Sequence, residues 1–299
     1  MTTEAVKNIS FAVADTLSLV DDRLLVTAGL RFQTLDARSF DFNTGAELSS
    51  YDEDAVTPVL GLVVKATERM SLYGNYAESL QPGAVAPASS GGVPILNAGE
   101  ILDPFRGEQI EVGAKLDRGR FGGSLGLFSV NRSNAIVENQ VFRDSGEQEN
   151  RGVELSVFGE LATGLRLLGG LSLIDAELSS TQDGVDEGNS PIGVPELQAN
   201  LNLEWDVTSV PGLAVDGRLI FTGEQFIDTA NTLEIDDWVR LDLGVRYVVS
   251  AGDVPLTLRA RLDNVTDEAY WASTGGFPGA NYLIQGEPRT LSIRLSADF

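Results

Sequence analysis

With no histidine and no cysteine among 299 residues, this chain lacks the commonest general base, the commonest metal ligand and every thiol chemistry. Carboxylates are what remain. Asp175/Glu177 and Asp236/Asp237 are paired as a general acid and base would be, and Asp183-Gly184-Val185-Asp186-Glu187-Gly188-Asn189 has the look of a calcium loop. A chain with 44 acidic residues produces such pairs by chance, and Asp175 and Glu177 share a strand face near its end, as a solvated rim does. The calcium-like segment lacks a closing Glu at the twelfth position. No residue is therefore assigned to catalysis or to a metal, and no cofactor is expected. A formal net charge of -23 argues against nucleic acid, which needs clustered Lys and Arg to neutralise phosphates.

The elements behind these residues have a period of two. Leu291, Ile293, Leu295, Ala297 and Phe299 alternate with polar residues, and so do Leu256–Leu262, Val239–Tyr247 and Leu197–Trp205. Strict alternation marks a strand with one apolar face. Weaker copies cover Ile9–Leu17, Leu24–Leu30, Val59–Val63, Leu72–Tyr76, Ile110–Leu116, Phe121–Val130, Val153–Gly159, Leu165–Leu173 and Leu213–Phe221, giving about 13 strands. No apolar run is long enough for a transmembrane helix. Tight turns at Val20–Asp22, Thr67–Arg69, Asp117–Gly119, Ala162–Gly164, Thr208–Gly212 and Ser250–Asp253 alternate with long loops. Those loops are placed at about Leu35–Ala55, Leu80–Phe105, Phe142–Asn150, Ser179–Val194, Glu224–Ile235 and Ala272–Gln285. Loops sorted by parity belong to an all-β antiparallel transmembrane β-barrel, a meander with its long loops outside. Parity then puts Trp205, Tyr247 and Phe299 in one aromatic girdle, and Phe221 and Tyr270 in the other. A single domain over 1–299 is expected. Met1-Thr2-Thr3-Glu4 has no basic start and no apolar run, so an exported protein is expected to carry N-terminal sequence outside this chain.

Five segments in order resemble strands of the TonB-dependent siderophore receptors: Ser71–Ser79, Pro104–Lys115, Arg151–Leu155, Leu262–Tyr270 and Gly286–Thr290, before a last strand that ends in Phe. The resemblance implies about 13 strands of a 22-stranded barrel in the cell outer membrane, with the plug domain and the TonB box absent from this chain. It implies a receptor that takes up a ferric siderophore, with outer-membrane lipid, TonB (through the missing N-terminal region) and the barrel-insertion machinery (through the C-terminal strand) as partners. Vitamin B12 or a sugar are alternative ligands on the same scaffold. A passive porin-like or structural barrel is the second reading, and a soluble β-rich carbohydrate-binding protein the third. The long apolar stripes weigh against the third, because only a second layer or lipid hides them.

Such receptors bind an iron chelate with loop and inner-rim aromatics and polar groups. By parity Trp238, Trp271, Arg240, Arg259 and Arg261 face inward. Trp238, Trp271, Arg240 and the loop aromatics Phe226, Phe277 and Tyr282 are the candidate substrate-binding residues. The inward arginines are expected to pair with carboxylates such as Asp242, Asp263 and Glu204, or to contact an anionic chelate.

Overall fold

The computed structural model describes residues 3–252, 254–276 and 281–297. Thirteen long strands follow one another: β1 Glu4–Leu19, β2 Leu24–Phe40, β3 Glu47–Lys65, β4 Met70–Gln81, β5 Phe105–Asp117, β6 Phe121–Glu138, β7 Val141–Ala162, β8 Leu165–Ser180, β9 Leu197–Asp206, β10 Leu213–Thr222, β11 Trp238–Ala251, β12 Val254–Asp263 and β13 Thr290–Ala297. They form one 13-stranded sheet in that order, each strand beside its sequence neighbours. Each alternating segment of the sequence seeds one strand. Phe277 and Phe299 lie outside the described residues.

Two compact units divide the chain. One comprises Met1–Gly113, Leu127–Arg151 and Ala176–Asn189; the other comprises Ala114–Gly126, Gly152–Asp175 and Ser190–Phe299.

In the first unit, register places Leu24 opposite Val64, Val26 opposite Leu62 and Ala28 opposite Leu60, so β2 and β3 share an apolar face. Two of the long loops placed here by sequence are strand instead. β2 continues to Phe40 and β3 begins at Glu47, so Leu35–Ala55 is mostly ladder. Phe142–Asn150 lies inside the 22-residue β7, which meets β6 in a turn of Asn139 and Gln140, both at positive φ. A strand needs about 9–11 residues to cross a bilayer. The excess length lies beyond the lipid, so a lipid-facing alternation is not required there while pairing continues. The segment 82–104 packs here: Leu96 N–H donates to the Gln140 carbonyl (2.7 Å), and Asn97 both donates to and accepts from the Phe142 backbone (2.8 and 2.9 Å). Leu35, Tyr51, Ala86, Ile95 and Ile136 are its buried core.

In the second unit, register carries one apolar face across β8 to β13. Leu167 stands opposite Leu203, Leu201 opposite Leu219, Val215 opposite Val245, Tyr247 opposite Leu258 and Leu258 opposite Leu295. These apolar side chains remain open to the surroundings: Leu291, Ile293 and Leu295 are each 65–69% exposed. The other face is polar, and the loops 181–196, 223–237 and 264–289 leave the sheet at the end opposite the tight turns.

Candidate functional site

Asp242 is the hub of the polar face. It is fully buried, and alternation on β11 points it between Arg218 of β10, its cross-strand neighbour, and Arg261 of β12. Arg218 donates to Oδ2 through Nε and Nη2 (2.8 and 2.6 Å), Arg240 donates through Nη2 (3.2 Å), and the Asn264 backbone N–H donates to Oδ1 (2.8 Å). Arg240 Nε lies 3.1 Å from Oδ1, but its N–H is not aligned for a hydrogen bond. Arg261 is shared between Asp263 (2.8 Å) and Asp216 (3.0 Å). Nearer the tight turns, Arg166 and Arg246 both bind Glu204 and Asp206. The pairing expected for Arg240 and Arg261 is present, whereas Arg259 has no carboxylate within 4 Å among the described residues. Arg218, Arg240 and Arg261 thus have their charge met by carboxylates within the wall.

Trp238 and Arg240 come together. Trp238 opens β11 and its ring lies on Tyr270, centroids 4.5 Å apart at 33°. Arg240 Nη1 donates to the Tyr270 hydroxyl (3.4 Å). Tyr270 is thus no member of a lipid-facing girdle; the loop after β12 leaves the ladder, and strand parity no longer applies. What turns the loop is Asn264, fully buried at φ 51°, whose side-chain amide donates to the carbonyls of Glu268 (2.8 Å) and Glu287 (3.0 Å). A Cβ on Gly286 would collide with the Tyr270 ring, so only glycine admits this approach. Arg289 pairs with Asp267 (3.1 Å). The family-like segments Leu262–Tyr270 and Gly286–Thr290 are therefore two halves of one latch.

Trp271 and Tyr282 sit on a separate short hairpin, Trp271–Gly275 with Tyr282–Gln285, and both are exposed. Trp271 stands opposite Gln285 and Tyr282 opposite Gly275, so the two rings occupy opposite ends of it. Trp271 has no lumen-facing position in the large sheet. Phe226 belongs to the pair Gln225–Phe226 with Glu234–Ile235. It lines a cavity of about 270 Å³ with Glu196, Phe221, Glu224, Glu234 and Asp237. Asn281 donates to the Ile227 carbonyl (2.7 Å) and Ser273 to Gln225 (3.5 Å), which ties the two loop pairs together.

The loop beyond Phe226 is closed by Asp228. Its carboxylate accepts from the Thr232 hydroxyl and from the backbone N–H groups of Thr232 and Leu233, and this holds it below the usual carboxylate range. Asn231 bridges to the Ser190 backbone in both directions (2.8 and 3.0 Å). The segments 223–237 and 264–289 carry eight carboxylates and one base, Arg289. Among the described residues no cluster of three acidic, His or Cys side chains is arranged to hold a metal. Sequence reasoning missed Tyr270, Arg218 and Asn264 as parts of this site; a turn-forming Asn directly after the alternating run that ends at Asp263 was the available signal for the last.

A family model described as "TonB dependent receptor-like, beta-barrel" matches residues 2–265. The ferrichrome receptor FcuA of Yersinia enterocolitica is 40% identical over 99% of this chain and 39% of its own length. A ferrichrome outer membrane transporter/phage receptor of Escherichia coli K12 is 28% identical over 84% of this chain and 33% of its own. The crystal structure of BauA, the ferric preacinetobactin receptor of Acinetobacter baumannii, superposes with a TM-score of 0.86 at 37% identity, covering 99% of this chain and 43% of that one. The chain thus spans about a third to two fifths of the length of these relatives.

Proposed function

The chain belongs to the TonB-dependent receptor β-barrel family, and from that premise we propose that the whole protein takes up a ferric siderophore across the outer membrane. Proteins of this family are receptors and transporters of the outer membrane, and the lipid-wide apolar face of β8 to β13 suits that location. One observation carries the ligand reading: the match to FcuA and to BauA extends over 99% of the chain, loops included. In this reading the chelate is bound outside by the long loops, and TonB, engaging sequence beyond residues 1–299, drives its release inward. The terminal strand serves recognition by the barrel-insertion machinery.

Trp238, Phe226, Trp271 and Tyr282 are the proposed contacts, through ring faces and edges. Arg240 holds the Trp238–Tyr270 stack in place and has its charge met by Asp242. With five wall arginines held by wall carboxylates and further carboxylates crowding the loops, the field at the mouth disfavours anions. The ligand class that fits is a chelate without net negative charge, such as a ferric trishydroxamate, whose three anionic oxygens cancel the charge of Fe(III).

Deletion of the intact gene followed by growth on single iron sources tests the proposal. Loss of growth on a neutral trishydroxamate, with growth on a trianionic triscatecholate kept, is the expected result. Unchanged growth on every siderophore, with loss on vitamin B12 or a sugar, overturns the iron assignment.

A further inference from the structure

Asp242 and Asn264 are both fully buried, and they touch: the Asn264 backbone N–H donates to Asp242 Oδ1 (2.8 Å). Taking a carboxylate out of water is costly unless its partners offset the loss. The wall arginines do not all depend on this one. Arg261 also has Asp216 and Asp263, and Arg218 also has Asp263 at 3.9 Å. Arg240 has no other carboxylate within 4 Å among the described residues. What Asp242 alone supplies is a partner for Arg240 and for the Asn264 N–H, and both lead from the wall toward the outer loops.

The first path runs through Arg240. Its Nη2 donates to Asp242 (3.2 Å) and its Nη1 to the Tyr270 hydroxyl (3.4 Å). The second path runs through Asn264. Its side-chain amide donates to the carbonyls of Glu268 (2.8 Å) and Glu287 (3.0 Å), and its Oδ1 accepts from the Glu268 N–H (2.9 Å). Beside Glu287, the Gly286 N–H donates to the Tyr270 carbonyl (2.9 Å) and closes the base of the hairpin Trp271–Gly275 with Tyr282–Gln285. The two paths grip opposite ends of one residue: Tyr270 is held by its hydroxyl and by its backbone, with its ring on Trp238. Trp271 follows Tyr270 directly, and Tyr282 stands on the other strand of the same hairpin. A binding surface keeps its geometry only when the groups behind it lock it in place.

We infer that Asp242 is the positioning residue of the outer rim. Through Arg240 and through Asn264, one carboxylate sets where Tyr270 lies against Trp238 and where the hairpin bearing Trp271 and Tyr282 leaves the wall. The inference rests on the reading of these aromatics as contacts for the ferric chelate.

The test uses the full-length receptor purified in detergent, with unheated gel mobility reporting an intact barrel. Near-ultraviolet circular dichroism of the ligand-free protein, taken as a difference against Trp238→Phe, isolates the signal of the ring pair. Titration with a neutral ferric trishydroxamate gives the affinity. Asp242→Asn should abolish the ring-pair signal and raise Kd about tenfold, as loss of an anchor does. Asn264→Gly is a second variant that keeps the left-handed backbone and the N–H to Asp242 while removing the amide, and it should do the same. Asp216→Asn, which touches Arg261 but neither path, should change neither. Tyr270→Phe should weaken binding less in the Asp242→Asn receptor than in the unaltered one. Signal and affinity that survive both Asp242→Asn and Asn264→Gly overturn the inference, as do equal losses in Asp216→Asn or strictly additive losses with Tyr270→Phe. If Trp238→Ala leaves the affinity unchanged, the contact reading is what fails, and the ring-pair signal alone then decides the positioning.

Discussion

The inner wall of β9 to β12 and the water-exposed outer half of β2 and β3 are both continuous antiparallel ladder, yet different forces hold them. On the wall, one face is apolar and the other a connected ion network around Asp242. On the outer half, Ser39 meets Ser49 (2.6 Å), and the turn is closed by Asp41, whose carboxylate accepts from the Thr44 backbone and hydroxyl (2.7 and 2.8 Å). Where lipid lies on one side, a register slip of one residue moves every side chain to the wrong face, so register is strongly specified. Where no lipid lies against the sheet, backbone pairing and the turn set register with the help of a few buried side chains such as Leu35 and Tyr51.

Replacing charge tests this contrast most severely. Asp242→Ala strips a buried acceptor from three arginines and should cost about 3–5 kcal/mol, whereas Asp52→Ala on the outer half of β3 should stay within about 0.5 kcal/mol. Denaturant unfolding of the full receptor in liposomes measures both, and equal losses would refute the distinction. Next in size, Leu243→Arg on the apolar face should cost about 2–4 kcal/mol, as a lipid-facing cation near mid-membrane does; Ser50→Arg should be near neutral. A third change concerns binding: Trp238→Ala should weaken chelate affinity about tenfold or more, as loss of a buried aromatic anchor does, while Phe42→Ala on the outer turn leaves it unchanged. Titration of purified receptor with the ferric chelate decides it. Gln140→Gly relieves a left-handed non-glycine residue in the β6–β7 turn and should stabilise that hairpin by up to about 1 kcal/mol, read as slower amide exchange across Glu138 and Val141.

The smallest effect is a pH response in the loop. The Asp228 carboxylate titrates below its ordinary value when its three donors are in place. A depressed folded value means that the stabilisation is complete above the unfolded pKa, about 3.9, and is lost as pH falls through the folded value. Exchange of the Thr232 and Leu233 amides should therefore stay slow from neutral pH to about 4 and lose protection below that. Protection independent of pH would exclude the carboxylate as its source.

The strands were legible because lipid writes its presence into every second residue, as Leu197–Trp205 and Val239–Tyr247 show. The outer ends of β2, β3, β6 and β7 were not, because Ser49–Asp54 and Arg143–Glu149 have no lipid against them and carry no period. At the site, Trp238 and Arg240 were readable from parity, and the pairing of Arg240 with Asp242 from proximity on one strand. Arg218 with Asp242, and Arg166 with Glu204, were not, since those pairs depend on register between strands. Tyr270 was misplaced because Asn264 ends the ladder there, and parity has no meaning beyond that residue.

The chain's three tryptophans stand in three different media. Trp205, on the apolar face, is half-exposed toward the membrane side; Trp271, on the short hairpin, is open to the surroundings; Trp238 lies on Tyr270 with its indole N–H buried and without a hydrogen-bond partner. An indole denied hydrogen bonding emits at shorter wavelength than a hydrated one. The protein consequently carries its own optical reporters: Trp205 for insertion into lipid, Trp271 for movement of the outer hairpin, and Trp238 for whatever comes to rest against the Tyr270 stack.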